Sequence, residues 1–274
     1  VTTDILNPNI APSRKFRNAM LILVANIAFL GISFAYLKIN PLLIFTEFHY
    51  VADLIDEMLP PNFHLYWTQP EIWASVGVTF AMAFIGTSVG AIAAFALALL
   101  AARNTTPVSW LRLPTRILLG AQRAAPDFAI MLVIVVAVGF GPFAGAIALV
   151  IGSTGMFGKL FSDAIEQVDS NTLDSLRAAG ASRRQVIRYG VLPEVLPSIV
   201  ANTLYLFEIN LGAAIALGVF GGGGLGFQLH VANASLNYPT MLAYISLIVT
   251  FLIVAEKLSD LIRRRIFSAG MVLQ

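Results

Sequence analysis

An all-α integral membrane protein with six transmembrane helices is what this sequence predicts, and three observations carry the prediction. The 274 residues are 58% hydrophobic and only 12% charged, where soluble domains carry about 25% charged residues. Uncharged stretches of the length a helix needs to cross a hydrocarbon core, about 20 residues, recur along the chain. The basic residues cluster between alternate stretches, the asymmetry that keeps Lys and Arg on the cytoplasmic side. With 17 Lys+Arg against 15 Asp+Glu, the net charge of +2 is too small for a nucleic-acid surface. The absence of cysteine excludes disulfides, thiol nucleophiles and Cys-ligated metals. His49, His64 and His230 are too scattered for a metal-binding helix, so no metal site is expected.

Residues 1–17 form the expected cytoplasmic N-terminal segment, with Arg14, Lys15 and Arg17. Span one covers 18–37; its apolar run is too long, and too poor in small residues at its end, for a typical cleaved signal peptide, so a permanent anchor is expected. Residues 38–70 mix Leu42, Leu43, Phe45, Phe48, Leu54, Ile55 and Leu59 with Glu47, Asp53, Asp56 and Glu57. That pattern predicts an amphipathic helix along the outer interface, ended by Pro60-Pro61, and acting as a packing elbow or a substrate-facing surface. The core, 71–260, holds span two within 72–102, span three over about 117–140, and span four from Pro142 to about Phe161. Span five runs from about Pro197 past Glu208 to the glycine run, and span six covers about 238–258. Arg263, Arg264 and Arg265 stop the last span, and 261–274 is a cytoplasmic tail. With both termini inside, every basic cluster faces the cytoplasm and only Lys38 lies outside.

The longest internal hydrophilic segment, 162–197, is punctuated as a helix, a sharp turn and a second helix. Asn171 with Asp174 suits an N-cap followed by acid in the first turn, and Gly180 suits the left-handed position that closes the run from Leu173 to Ala179. Ser182 with Gln185 reads as a capping box, and Pro193 requires the second helix to stop before it. The result is a preformed cytoplasmic knob with Leu173, Leu176, Ala179 and Val186 among arginines.

Polar groups inside the spans need partners or water, since a carboxyl at a helix centre costs about 2.5–3.5 kcal/mol. At 100° per residue, Ser198, Asn202, Tyr205, Glu208 and Gly212 share one face of the fifth span, with Glu208 near mid-bilayer. The stripe is either a pathway lining or packing glue bonded to a neighbouring span. Arg123 and Asp127 stand four apart around Pro126, a spacing that suits an i,i+4 ion pair at a bend; the bend is an inner gate or a structural kink. Gly221, Gly222, Gly223 and Gly224 end the fifth span as an outer hinge or as a close-packing surface.

Two nucleotide motifs fail. Gly221, Gly223 and Gly226 fit G-x-G-x-x-G but follow a membrane helix, and GSTGMFGKL from Gly152 has Leu160 where a Walker A run needs Ser or Thr. The chain therefore has no ATP site by motif and draws its energy from a partner.

The loop LRAAGASRRQVIRYGVLP resembles the EAA loop of ABC-importer permeases, E-A-A, three residues, G, nine residues, I, one residue, L-P. Asp174, Gly180 and Leu192-Pro193 match its spacing, while Ser175, Leu176 and Gly190 stand where the pattern has Ala, Ala and Ile. RAAPD (123–127), VAVGFGPFAGAIAL (136–149), YGVLPEVLP (189–197), LYLFEIN (204–210) and GVFGGGGLG (218–226) are similar to the permease subunits of phosphonate importers, across roughly residues 50–260. The resemblance implies a type I permease core in a bacterial cytoplasmic (inner) membrane. It implies two cytosolic ATPases that bind ATP and Mg, a second permease forming a homodimer or heterodimer, and an extracytoplasmic substrate-binding protein. No cofactor would sit in this chain itself. Asp174, Leu176, Arg177, Ala179, Gly180, Ala181, Ser182 and Arg183 would couple to the ATPases. The expected cargo is a phosphonate, phosphate or similar small oxyanion, with methionine- and quaternary-amine-type importers as alternatives. Relatives usually place arginines in the fifth span where this chain has Leu206 and Gly212, a departure that points to a different substrate or to a second, non-identical permease that supplies the missing charge. An intramembrane enzyme using Glu208 or Asp127 lacks a nucleophile or metal set, and a passive scaffold leaves the knob without a purpose.

Overall fold

The computed structural model describes residues 14–38, 40 and 43–270. Residues 1–13 of the expected N-terminal segment, Pro41 and Leu42 of the elbow, the Phe45 side chain, and 271–274 of the tail lie outside the described residues. The chain divides into two units, residues 1–57 and 58–274. The first holds α1 (Arg14–Tyr36), α2 (Leu43–Thr46) and all but the last residue of α3 (Phe48–Met58). α3 stops short of Pro60, since the residue before a proline is pushed out of the helical region.

The second unit contains α4 (Leu65–Thr68), α5 (Glu71–Ala101), α6 (Ser109–Ala124), α7 (Asp127–Val138) and α8 (Pro142–Glu166). It continues with α9 (Ser170–Ala178), α10 (Arg183–Val186), α11 (Leu192–Leu217), α12 (Gly224–Ala234) and α13 (Tyr238–Gly270). Five helices are long and apolar enough to cross a membrane, and the bent pair α6–α7 makes a sixth. Each coincides with one expected span. Of the amphipathic segment expected to end at Pro60-Pro61, the described residues form two helices, the short α2 and then α3, which stops at Met58, and the short α4 follows the prolines.

α5 and α8 form the centre of the second unit. A Cβ on Gly86 would lie 2.5 Å from Leu149 Cβ, and one on Gly90 would lie 2.6 Å from Ser153 Cβ. Both pairs advance by four residues, so the two helices run parallel in close backbone contact. Small residues are needed there because apolar side chains gain nothing by leaving lipid; tight packing does the work instead. Ala94 and Ala98 from α5 and Phe157 and Phe161 from α8 complete a fully buried layer.

Two expectations are corrected by the backbone, and two span ends fall where they were expected. Span three is not one helix: α6 and α7 meet at 92°, because Ala125 precedes a proline and is extended (φ −80, ψ 126), as is Pro126 itself. The helix after Ser182 does not stop before Pro193. A π-helical turn, Ile187–Val191, joins α10 to α11, and Leu192 N–H donates to Ile187 O; this wider turn makes room for the proline ring. The glycine run ends the fifth span as expected, the membrane-length helix running from Arg183 to Gly222. Gly221 (φ +98) breaks it inside a second π turn, Gly218–Gly222, and α12 continues. Leu225 N–H donates to Thr79 Oγ1 at 2.9 Å and Gln228 approaches Ser75 at 3.4 Å, so α12 climbs toward the α5 N-terminus. Arg263, Arg264 and Arg265 likewise stand at the end of the sixth span, Tyr238–Arg265, while α13 itself runs on to Gly270, because arginine is a good helix former and ends a span without ending its helix.

Candidate functional site

The knob is built by local chemistry. Asp169, not Asn171, caps α9, its carboxylate accepting the Asn171 N–H at 3.0 Å; either residue type suits the role, and the acid two positions earlier takes it. At the other end Gly180 has φ +82. Its N–H donates to Arg177 O at 2.9 Å and the Ala181 N–H to Leu176 O at 3.0 Å, the paired bonds of a Schellman closure. Gln185 Oε1 then accepts both the Ser182 N–H and the Ser182 hydroxyl at 2.7 Å, which completes the capping box of α10.

Leu173, Val186, Val191 and Val195 bury the inner face of the knob in the same apolar cluster as Phe157 and Phe161, with Leu176 and Ala181 packed against it. Asp174, Arg177, Ala179, Gly180, Ser182 and Arg183 stay exposed, and Asp174 pairs with Arg177 at 2.7 Å. Arg183 donates to the Thr105 carbonyl, tying the knob to the turn after α5. Glu166 ties the same turn to α8 and α6, accepting the Arg103 N–H at 2.8 Å and pairing with Arg116.

A second polar group lies at mid-span. Asn210 Nδ2 donates to Thr87 Oγ1 and to Ser153 Oγ, each at 2.8 Å, and Asn210, Thr87 and Ser153 are all buried. Thr87 stands about 24 Å along α5 from Glu71 at 1.5 Å per residue, close to that helix's midpoint. Beside this trio a cavity of ≈ 230 Å³ opens between α6, α7, α8 and α11, lined by Arg123, Asp127, Ser153 and Asn210 together with Gln122 and Leu206. Gly152 makes it possible: the Asp127 carboxylate lies where a Cβ on residue 152 would sit. No Arg123–Asp127 ion pair forms, because the 92° break puts the two residues on different helices. Arg123 of α6 and Leu206 of α11 both line this cavity.

The stripe expected on the fifth span lies along the single helix α11. Glu208 turns to α13, where Oε1 accepts from Arg263 Nη2 at 2.8 Å. Asn202 bonds Ser198 at 3.3 Å, Tyr205 is exposed, and Gly212 faces open space. At the glycine break, Gly221 and Gly223 line a larger cavity of ≈ 580 Å³ with Phe140, Phe220, Phe227 and His230, while Gly222 and Gly224 pack against Met82 and Thr79. Sequence reasoning overlooked Thr87, Ser153, Asn210 and Gly152. The signal was present in GSTGMFGKL, whose small and hydroxyl residues mark a polar helix face once the nucleotide reading is set aside.

The comparisons with known proteins agree with this architecture. Residues 86–268 match the family described as binding-protein-dependent transport system inner membrane component. A protein of Stutzerimonas stutzeri named as a phosphite transport system permease is 39% identical over 207 residues, 76% of this chain and 72% of that one. A phosphate-import permease of Mycolicibacterium smegmatis is 34% identical over 234 residues, 85% of this chain and 44% of that longer one. Among solved structures, an inward-facing form of the MetNI methionine ABC transporter superposes with TM-score 0.61 at 21% identity, over 73% of this chain and 99% of that one, a likeness of fold.

Proposed function

The chain belongs to the family of inner-membrane components of binding-protein-dependent transport systems, and from that premise we propose that it is the pathway-forming permease of an ABC importer for a phosphite-, phosphonate- or phosphate-class oxyanion. The observation that carries the coupling role is the knob, closed by hydrogen-bonded caps at both ends and continuous with a membrane helix through the π turn at 187–191. A lever needs that stiffness: force applied at Asp174, Arg177 and Ser182 is passed to α11 without a loose joint. Two cytosolic ATPases, which bind ATP and Mg, would dock on the knobs of two permeases, with a homodimer as the default closed assembly. An extracytoplasmic receptor would deliver the cargo, and both termini would lie in the cytoplasm.

The oxyanion class rests on the relatives' identities of 39% and 34%. A methionine cargo has less support, since the methionine permeases among its relatives are 25% and 27% identical over 46% of this chain. The test is uptake by membranes carrying the permease with its ATPase and receptor. A side chain at Gly180, held at φ +82, costs about 1–2 kcal/mol, so Gly180→Val should distort the turn; Asp174→Lys should reverse the charge presented to the ATPase. Both are expected to lower phosphate or phosphite uptake roughly tenfold or more while insertion stays normal. Uptake at the wild-type rate in both would refute the coupling role.

A further inference from the structure

The mid-span cavity gathers hydrogen-bonding groups whose needs its own walls do not meet. Arg123, an exposed residue whose guanidinium can only donate, is one of its lining residues and makes no ion pair among the described residues. Ser153 is 6% exposed; its oxygen accepts from Asn210, and its hydroxyl proton has no acceptor among the described residues. Asp127 presses its carboxylate against Gly152 and receives no hydrogen bond there. Gln122 Oε1 is buried without a partner. A ligand that satisfies this set must bring oxygen acceptors for Arg123 and Ser153 and at least one proton donor for Asp127.

Resting on the oxyanion reading above, we propose that this cavity is a transit site that takes the substrate in its singly protonated form. Arg123 and the Ser153 hydroxyl donate to two of its oxygens, and Asp127 accepts from its remaining hydroxyl. A tetrahedral phosphorus oxyanion with one P–OH carries acceptors and donor on one centre. A fully deprotonated oxyanion such as sulfate places an oxygen charge against Asp127, and like charges repel strongly where water is scarce. The charged groups bordering the cavity are Arg123 on α6 and Asp127 on α7; the residues of α8 and α11 that line it, Gly152, Ser153 and Asn210 among them, do not titrate. The pH dependence of occupancy therefore follows the ligand's own proton together with Asp127.

The experiment uses the whole importer in proteoliposomes, with inorganic phosphate as probe, and reads phosphate delivered per ATP hydrolysed across a pH series. Asp127→Asn is expected to lower this ratio roughly tenfold and Ser153→Ala severalfold. The wild-type ratio should fall as pH rises through the second ionisation of phosphate, and Asp127→Asn should flatten that fall. Because the ratio is internal to each assembly, a variant that only assembles poorly keeps it. An unchanged ratio in both variants, or the wild-type pH profile in Asp127→Asn, overturns the transit site while phosphate transport by the wild type still stands. Wild-type assemblies that hydrolyse ATP without moving phosphate, phosphite or methylphosphonate overturn the oxyanion reading, and this proposal with it.

Discussion

Leu176 and Gly190 are the bulky and the bare residue at two positions where the importer loop pattern has alanine and isoleucine, and they touch. A Cβ on Gly190 would lie 2.8 Å from Leu176 Cδ1 and 3.1 Å from Leu173 Cδ2. The side-chain volume has moved from the π turn to α9, and the space between knob and lever stays filled. Interiors tolerate such exchanges only when total volume is kept. Gly190→Ile alone should therefore cost about 1–3 kcal/mol by overpacking, and Leu176→Ala about 2 kcal/mol by leaving a gap. The double variant should recover part of both losses, with a coupling of about 0.5–3 kcal/mol. Thermal unfolding of the four proteins in detergent reads the cycle; strictly additive losses would mean the two positions do not share one space.

At the scale of elements, legibility tracked distance along the chain. The knob could be read because each cap acts within a few residues: Gly180, Ser182 and Gln185 do what their types and spacing dictate. The error there, Asn171 for Asp169, is a choice between two equally suitable caps. Glu208 shows the opposite case, since its partner Arg263 is 55 positions away and no local pattern joins them. The Arg123–Asp127 pair failed for a related reason, because its spacing presupposes an unbroken helix. The Glu208–Arg263 bond is the polar tie between α11 and α13, and at 20% and 30% side-chain exposure it is only partly screened. Glu208→Gln should lower stability by about 1.5–3 kcal/mol, the worth of a hydrogen bond to a charged group, while Arg263 keeps Asp260, 3.6 Å away on the same helix, as its partner. A melting temperature in detergent that stays unchanged in Glu208→Gln would show the two helices held by apolar packing alone.

For the whole second unit, the parallel register of α5 and α8 fixes which surfaces lie together. Two parallel spans need one return crossing between them, so the bent pair α6–α7 has to carry the chain back, and the ends of α5 and α8 emerge on the same side. The Arg183 bond to the Thr105 carbonyl and the Glu166 bond to the Arg103 N–H agree, since they join the knob to the turn after α5. α11 and α12 then run the other way, and the turn at Leu236 (φ +55) belongs to the opposite side. The arginine clusters after α5 and α8 thus share one face, which the positive-inside bias predicts to be the cytoplasmic one. The absence of cysteine allows a clean test with single thiols at two exposed positions, Arg184→Cys and Leu236→Cys. In intact spheroplasts a membrane-impermeant maleimide should label Leu236→Cys and leave Arg184→Cys unmodified, and inverted vesicles should exchange the two results. Labelling of both from one side would break the parity of the spans, and the reversed pattern would put the knob outside and refute the proposed coupling role.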